Sequence, residues 1–176
     1  MKNSSRLALA AVIAALAVTV MMLSIFPFVT YALPGIAGAL MIIVVIEVNK
    51  KWAVGVYAVS GILSLLLAPD KEAALFYIFL LGYYPILKSV FEKLKSRTLE
   101  YILKLAVFNV SAITATFIAI KMFAIPIESI PLLGKYSGIA FLLLGNIIFV
   151  LYDKLLNGLA TQYLVRIHPY IKRLFR

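Results

Sequence analysis

The run Leu7-Ala8-Leu9-Ala10-Ala11-Val12-Ile13-Ala14-Ala15-Leu16-Ala17-Val18-Thr19-Val20-Met21-Met22-Leu23-Ser24-Ile25 decides the class of this protein. It holds 19 residues without a charge and directly follows Arg6, with Lys2 just before. A helix of that length, at about 1.5 Å per residue, comes close to the ~30 Å of a bilayer's hydrocarbon core. A basic start before an apolar run also describes a signal peptide, but there the apolar part is usually about 7–15 residues. The run is therefore expected to be a retained transmembrane helix.

Five further apolar stretches follow: Leu33–Val48, Ala53–Ala68, Ala73–Val90, Tyr101–Phe123 and Gly138–Leu156. The first two of these have 16 residues each and reach only about 24 Å, so they need local thinning or snorkelling ends. Proline marks the breaks. Pro27 and Pro34 bracket the first loop, Pro69-Asp70 ends the third stretch, and Pro126 with Pro131 keeps the fifth loop non-helical. Pro85 lies inside the fourth stretch, three residues after Gly82. A kink is expected there, because the apolar run continues to Val90. The predicted fold is all-α: a single domain over residues 1–176, forming an integral membrane bundle of six transmembrane helices.

Composition agrees. The chain has 176 residues, of which 64% are hydrophobic and 14% charged, against roughly 25% charged in soluble domains. Such a chain cannot cover its apolar surface in water, which excludes a soluble enzyme, and it is too apolar for disorder. Six spans leave little length for a soluble catalytic domain. The net charge is +10, yet nucleic acid is not the implied partner. In a membrane protein basic residues set topology and touch anionic lipid. Lys2, Arg6, Lys50, Lys51, Lys88, Lys93, Lys95, Arg97, Lys104, Lys154, Arg166, Lys172, Arg173 and Arg176 fall at one set of ends, 14 of the 17. Only Lys71, Lys121 and Lys135 fall at the other, with Asp70, Glu72 and Glu128. Both termini are therefore expected in the cytoplasm of a multi-pass cell-membrane protein.

Catalytic signatures are missing. There is no HExxH, GxSxG or phosphate-binding glycine loop, and no cysteine. No catalytic residue, metal site or cofactor is expected. The single histidine, His168, reads as a solvated or headgroup-facing tail residue. Glu47 lies three and four residues before Lys50 and Lys51, a helical spacing for ion pairs. Asp153 either pairs with the adjacent Lys154 or reaches a partner protein. No carboxylate lies near the centre of a span, which argues against an autonomous proton-driven transporter. Primary transport would need an ATPase from another chain.

Two patterns remain. Ala10 and Ala14 are four apart, as are Ala11 and Ala15, so small residues share a helix face and let another backbone approach closely. Such a face docks a partner helix or packs inside the bundle. Polar and aromatic groups toward the other end suggest an outward-opening pocket for a small molecule. Its candidates are Tyr31, Tyr77, Lys121 and Asn146, with Glu72, Asn109, Ser111, Thr114, Thr116, Ser60 and Ser64 nearby. Each has a plainer reading: tyrosine belts, hydroxyls bonded back to their own helix, or a snorkelling lysine.

In architecture, and in the segment Arg6-Leu7-Ala8-Leu9-Ala10-Ala11-Val12-Ile13-Ala14-Ala15-Leu16, the chain resembles the substrate-binding S components of energy-coupling factor (ECF) transporters. The family's first helix carries a small-residue AxxxA face, matched here by Ala10/Ala14, with Ala11/Ala15 a second candidate pair. The resemblance implies a membrane-embedded binder of a vitamin or related micronutrient. It also implies a transmembrane coupling subunit and two cytoplasmic ATPases as partners, with substrate held near the outer face. No vitamin subgroup is matched. The alternative is an MreD-like non-catalytic scaffold of the bacterial cell-elongation machinery, in which the polar residues would be packing glue.

Overall fold

The computed structural model describes residues 3–26, 28–123 and 137–174, and among these it is helical with no strand. Pro27, Pro126, Glu128, Pro131 and Lys135, and the terminal Lys2 and Arg176, lie outside the described residues. Helix α1 (Asn3–Met22) runs into a 3₁₀ turn at Leu23–Ile25. Helices α2 (Leu33–Ala39) and α3 (Met41–Glu47) form one apolar segment broken at Leu40. Then come α4 (Lys50–Leu67), α5 (Lys71–Phe76), a π-helical turn at Tyr77–Leu81, and α6 (Tyr84–Phe91). The long helices α7 (Arg97–Phe123) and α8 (Ser137–Gln162) follow, and a second π turn at Tyr163–Ile167 leads into α9 (His168–Leu174).

Five of these helical stretches are long and apolar enough to cross a membrane: Asn3–Ile25, Lys50–Leu67, Lys71–Phe91, Arg97–Lys121 and Gly138–Ile171. The segment Leu33–Glu47 is shorter. The sequence-based boundaries are close, except that the last helix continues well beyond Leu156.

Local chemistry sets the turns. The Asn49 side chain accepts from Trp52 N–H at 3.0 Å and caps α4. Asp70 Oδ1 accepts from the Glu72 and Ala73 N–H groups at 2.8 and 3.2 Å and caps α5. Lys71 Nζ donates to the Leu65 and Ala68 carbonyls at 2.9 Å each, closing the end of α4. One Pro-Asp-Lys turn thus satisfies two helix termini. Asp70→Ala is expected to lower stability by about 1 kcal/mol, read as a fall in the detergent unfolding midpoint.

Contacts at the two ends give the direction of each pass. Asp70 N–H donates to Ser24 Oγ at 3.4 Å, which joins the end of α1 to the start of α5. At the basic end, Lys50 Nζ donates to the Ser89 carbonyl at 2.8 Å and Glu47 meets His168 at 2.8 Å. The short α2–α3 segment therefore returns the chain to the basic end. Helices α7 and α8 are antiparallel, since Lys104 faces Asp153 while Asn109 faces Asn146.

Two apolar clusters fill the bundle. Ala10, Ile13, Ala17 and Met21 of α1 pack with Ala53 and Val56 of α4 and with Ala37, Met41 and Val44. Phe108 and Phe149 stack at 4.4 Å in the second, with Tyr84 edge-on to Phe149 at 4.6 Å. Long outward rows of Leu, Ile, Val and Phe on α4, α7 and α8 stay exposed. Apolar surface of that extent suits lipid, not water.

Candidate functional site

The irregular backbone gathers at one place. The helical stretch Lys71–Phe91 is interrupted midway by the π turn, where Gly82 N–H donates to the Tyr77 carbonyl at 2.8 Å. The break falls at Gly82–Tyr83, and Pro85 sits in the first turn of α6 where its missing N–H costs nothing. The kink expected at Pro85 is thus a widened turn followed by a restart. A π turn leaves carbonyls short of helical partners. Here tyrosines supply them. Tyr57 Oη donates to the Ile78 carbonyl at 2.6 Å. Tyr152 Oη lies 3.4 Å from the Leu81 carbonyl and 3.1 Å from the Gly35 carbonyl. Tyr152 of α8 therefore fastens the broken α2–α3 segment to the broken α5–α6 segment. Gly38 lets them approach, because a Cβ there would lie 2.8 Å from Tyr152 Oη and closer still to the Leu81 carbonyl. Around this point Tyr77 Oη and Ser60 Oγ share a bond of 2.7 Å, and Tyr83 Oη and Ser111 Oγ one of 2.6 Å. Ser64 Oγ is buried with no hydrogen-bond partner among the described residues. The set is neutral, rich in phenols and carbonyls, and sits halfway along the Lys71–Phe91 stretch.

Toward the basic end lies a charged cluster. Asp153 Oδ1 accepts from Tyr84 Oη and from Lys88 Nζ, and Lys104 Nζ lies 3.2 Å from both carboxylate oxygens. Lys88 also pairs with Glu92 at 2.9 Å and Lys104 with Glu100 at 2.6 Å, each four residues away on its own helix. The side chains of Lys88, Lys104 and Asp153 are 6%, 3% and 5% exposed. Three helices are thereby tied together. Sequence reading placed Asp153 at a span end with Lys154 as its neighbour. The folded chain pairs it across helices instead, because Asn146, Phe149 and Asp153 share the inward face of α8. The legible signal was the pair of i,i+4 couples, Lys88/Glu92 and Glu100/Lys104, beside a lone carboxylate in an apolar helix.

A second polar contact corrects two readings. Glu47 Oε1 accepts from Tyr163 Oη at 2.8 Å and lies 2.8 Å from His168 Nδ1. His168 is therefore a partner of a buried carboxylate and not a solvated tail residue. Glu47, read from its spacing as a partner of Lys50 and Lys51, turns instead toward the second π turn and α9.

The four candidate substrate residues have separate surroundings. Tyr77 is fully buried beside Ser60, while Tyr31 is exposed with its ring edge-on to Phe76 at 5.6 Å. Lys121 is exposed near the end of α7. Asn146 exchanges two hydrogen bonds with Asn109, at 2.9 and 3.0 Å, and each amide also donates to its own helix at Leu142 or Leu105. Thr114 and Thr116 bond back to Val110 and Ala112. A closed amide pair of this kind holds two helices together in lipid. Asn146→Leu is expected to cost about 1 kcal/mol of stability, with part recovered when Asn109→Leu is added. Thermal unfolding of the two single variants and the double variant checks this.

On α1, Ala10 is buried against α4, Ala14 is half-buried, and Ala11 and Ala15 are exposed. Beside them an open groove runs between α1 and α4. No family model matches the chain, and no curated protein or solved structure matches it.

Proposed function

We propose that this chain is the membrane-embedded substrate-binding subunit of an ECF-type importer for a vitamin or related micronutrient. It crosses the cell membrane six times with both termini in the cytoplasm. A transmembrane coupling subunit and two cytoplasmic ATPases energise it, and the chain itself carries out no catalysis. The observation that supports this reading is the meeting of two interrupted helical segments at Tyr152. Irregular backbone at membrane depth is tolerated where protein buries it or where it lines a cavity, and transporters build substrate sites from such broken helices. Phenols and carbonyls there suit a neutral, hydrogen-bonding small molecule. Tyr31 and Lys121, both exposed, remain the candidates for first contact from outside, with Tyr77 and Asn146 deeper. Ala11, Ala14 and Ala15 are the accessible part of the face that would dock the coupling subunit, with Ala10 beneath them.

The test is a screen of the purified protein in detergent against vitamins, by native mass spectrometry and thermal shift. One micronutrient is expected to bind and to raise the unfolding midpoint, and Tyr31→Ala or Lys121→Ala to weaken it. A reporter active only outside the cell is expected to stay silent at Arg176 and to signal from the Pro126–Lys135 loop. The inverse pattern overturns the topology. The MreD-like scaffold reading draws on a different observation, the self-contained Asn109–Asn146 pair, which needs no ligand. Absence of any bound micronutrient, together with co-purification of cell-elongation proteins, would favour it.

A further inference from the structure

Helices α1 and α4 run side by side from the basic end, and an open groove of about 490 Å³ lies between them. Small residues Ala10, Ala11, Ala14 and Gly55 line it together with Leu7 and Val59. Leu7 to Ala14 is two helical turns, so the groove reaches about 10 Å inward from the basic end. Lys51 and Trp52 stand at its mouth. A Trp beside a Lys is the pairing found at headgroup level in membranes. The charges there are uncompensated. Lys51 is exposed and forms no ion pair among the described residues, whereas its neighbour Lys50 is turned away to the Ser89 carbonyl. Arg6 directly precedes Leu7, and its Nε is buried with no hydrogen-bond partner among the described residues. A buried donor of that kind calls for an acceptor.

We propose that the α1–α4 groove binds an anionic phospholipid, its phosphate held at the mouth by Lys51 and Arg6 and one acyl chain laid over Ala10, Ala14 and Gly55. Arginine and lysine together suit phosphate oxygens, and basic pockets between membrane helices on the cytoplasmic side take anionic headgroups. The site shares Ala10 and Ala14 with the face proposed above to dock a coupling subunit, so lipid and that partner compete for it.

The test uses the full-length protein purified in detergent, with phosphatidylglycerol and phosphatidylcholine of identical chains, and with glycerophosphoglycerol as the headgroup alone. Native mass spectrometry and thermal unfolding are read on each. Phosphatidylglycerol is expected to be retained and to raise the unfolding midpoint, and the other two to do neither. Lys51→Gln should weaken retention about fivefold. A Cβ at Gly55 meets nothing within 4 Å, so Gly55→Leu should fill the groove, remove retention and leave the lipid-free midpoint unchanged. Should that variant fail to fold, Ala11→Leu on the exposed side of α1 provides a second filler. Equal retention of the two lipids overturns the proposal, as does binding of the headgroup alone. Undiminished retention in a folded groove-filling variant also overturns it. So does the loss of a co-purifying membrane protein from that variant while lipid stays bound, which would assign the groove to a partner helix.

Discussion

Asp153→Ala is expected to destabilise the protein by about 3–5 kcal/mol, the usual cost of removing one partner from a buried ion pair. The substitution strands Lys88 and Lys104, two ammonium groups that share this carboxylate, and leaves Tyr84 Oη without its acceptor. Glu92 and Glu100 are too exposed and too local to replace it, at 42% and 15% exposure. Size-exclusion chromatography and thermal unfolding in mild detergent should show loss of the monodisperse species. The sharper comparison adds Lys88→Met and Lys104→Met to Asp153→Leu. Replacing a whole buried ionic group by apolar side chains is often neutral, so the triple variant should regain most of the lost stability. An Asp153→Ala variant as stable as the parent would show that water reaches the cluster.

Gly38→Val is expected to be nearly as damaging for a steric reason. The added atoms would collide with the backbone of the π turn and with Tyr152 Oη, and backbone cannot rotate away as a side-chain tip can. Overpacking usually costs about 1–3 kcal/mol, and a clash against backbone belongs at the upper end or beyond. Tyr152 would lose its hold on the Gly35 and Leu81 carbonyls at the same time. Gly55→Ala is the matched control and should be neutral. If Gly38→Val keeps both folding and any ligand binding, the broken segments do not depend on their close approach.

The helices were legible because nothing but a helix satisfies an apolar backbone in lipid, and proline, Asp70 and Asn49 mark their ends. The break in the Lys71–Phe91 stretch was half legible. Gly82 and Pro85 announced it, but a π turn depends on which carbonyls find outside donors. Those donors, Tyr57 and Tyr152, come from other helices, 21 and 71 residues away from their acceptors. The same distance hid the partners of Asp153 and His168. Adjacent charges such as Lys154 look like partners on paper, whereas helical rotation points neighbours about 100° apart. Asn146 was singled out as a polar group needing a partner, and it has one in Asn109. The small-residue pairs on α1 were visible, but no spacing rule tells which of them meets its own bundle and which meets lipid.

For a chain inserted into a membrane, the placement of the charges would also bear on the order of events during synthesis. Lys88 and Lys104 precede Asp153 in the chain; a lone lysine costs about 2.5–3.5 kcal/mol at the centre of a span and less toward its end, where these two lie. Each carries its own counter-charge one turn away, Glu92 or Glu100, so each arrives at the insertion machinery as a neutral couple. The last long helix arrives with Asp153 in place, and lateral docking of that helix hands both lysines a shared acceptor. Synthesis in this order would leave the early helices insertable and the cross-helix bond for the last step. A nascent chain stalled before residue 153 should consequently insert its first passes yet remain sensitive to added protease, and release through Asp153 should end that sensitivity.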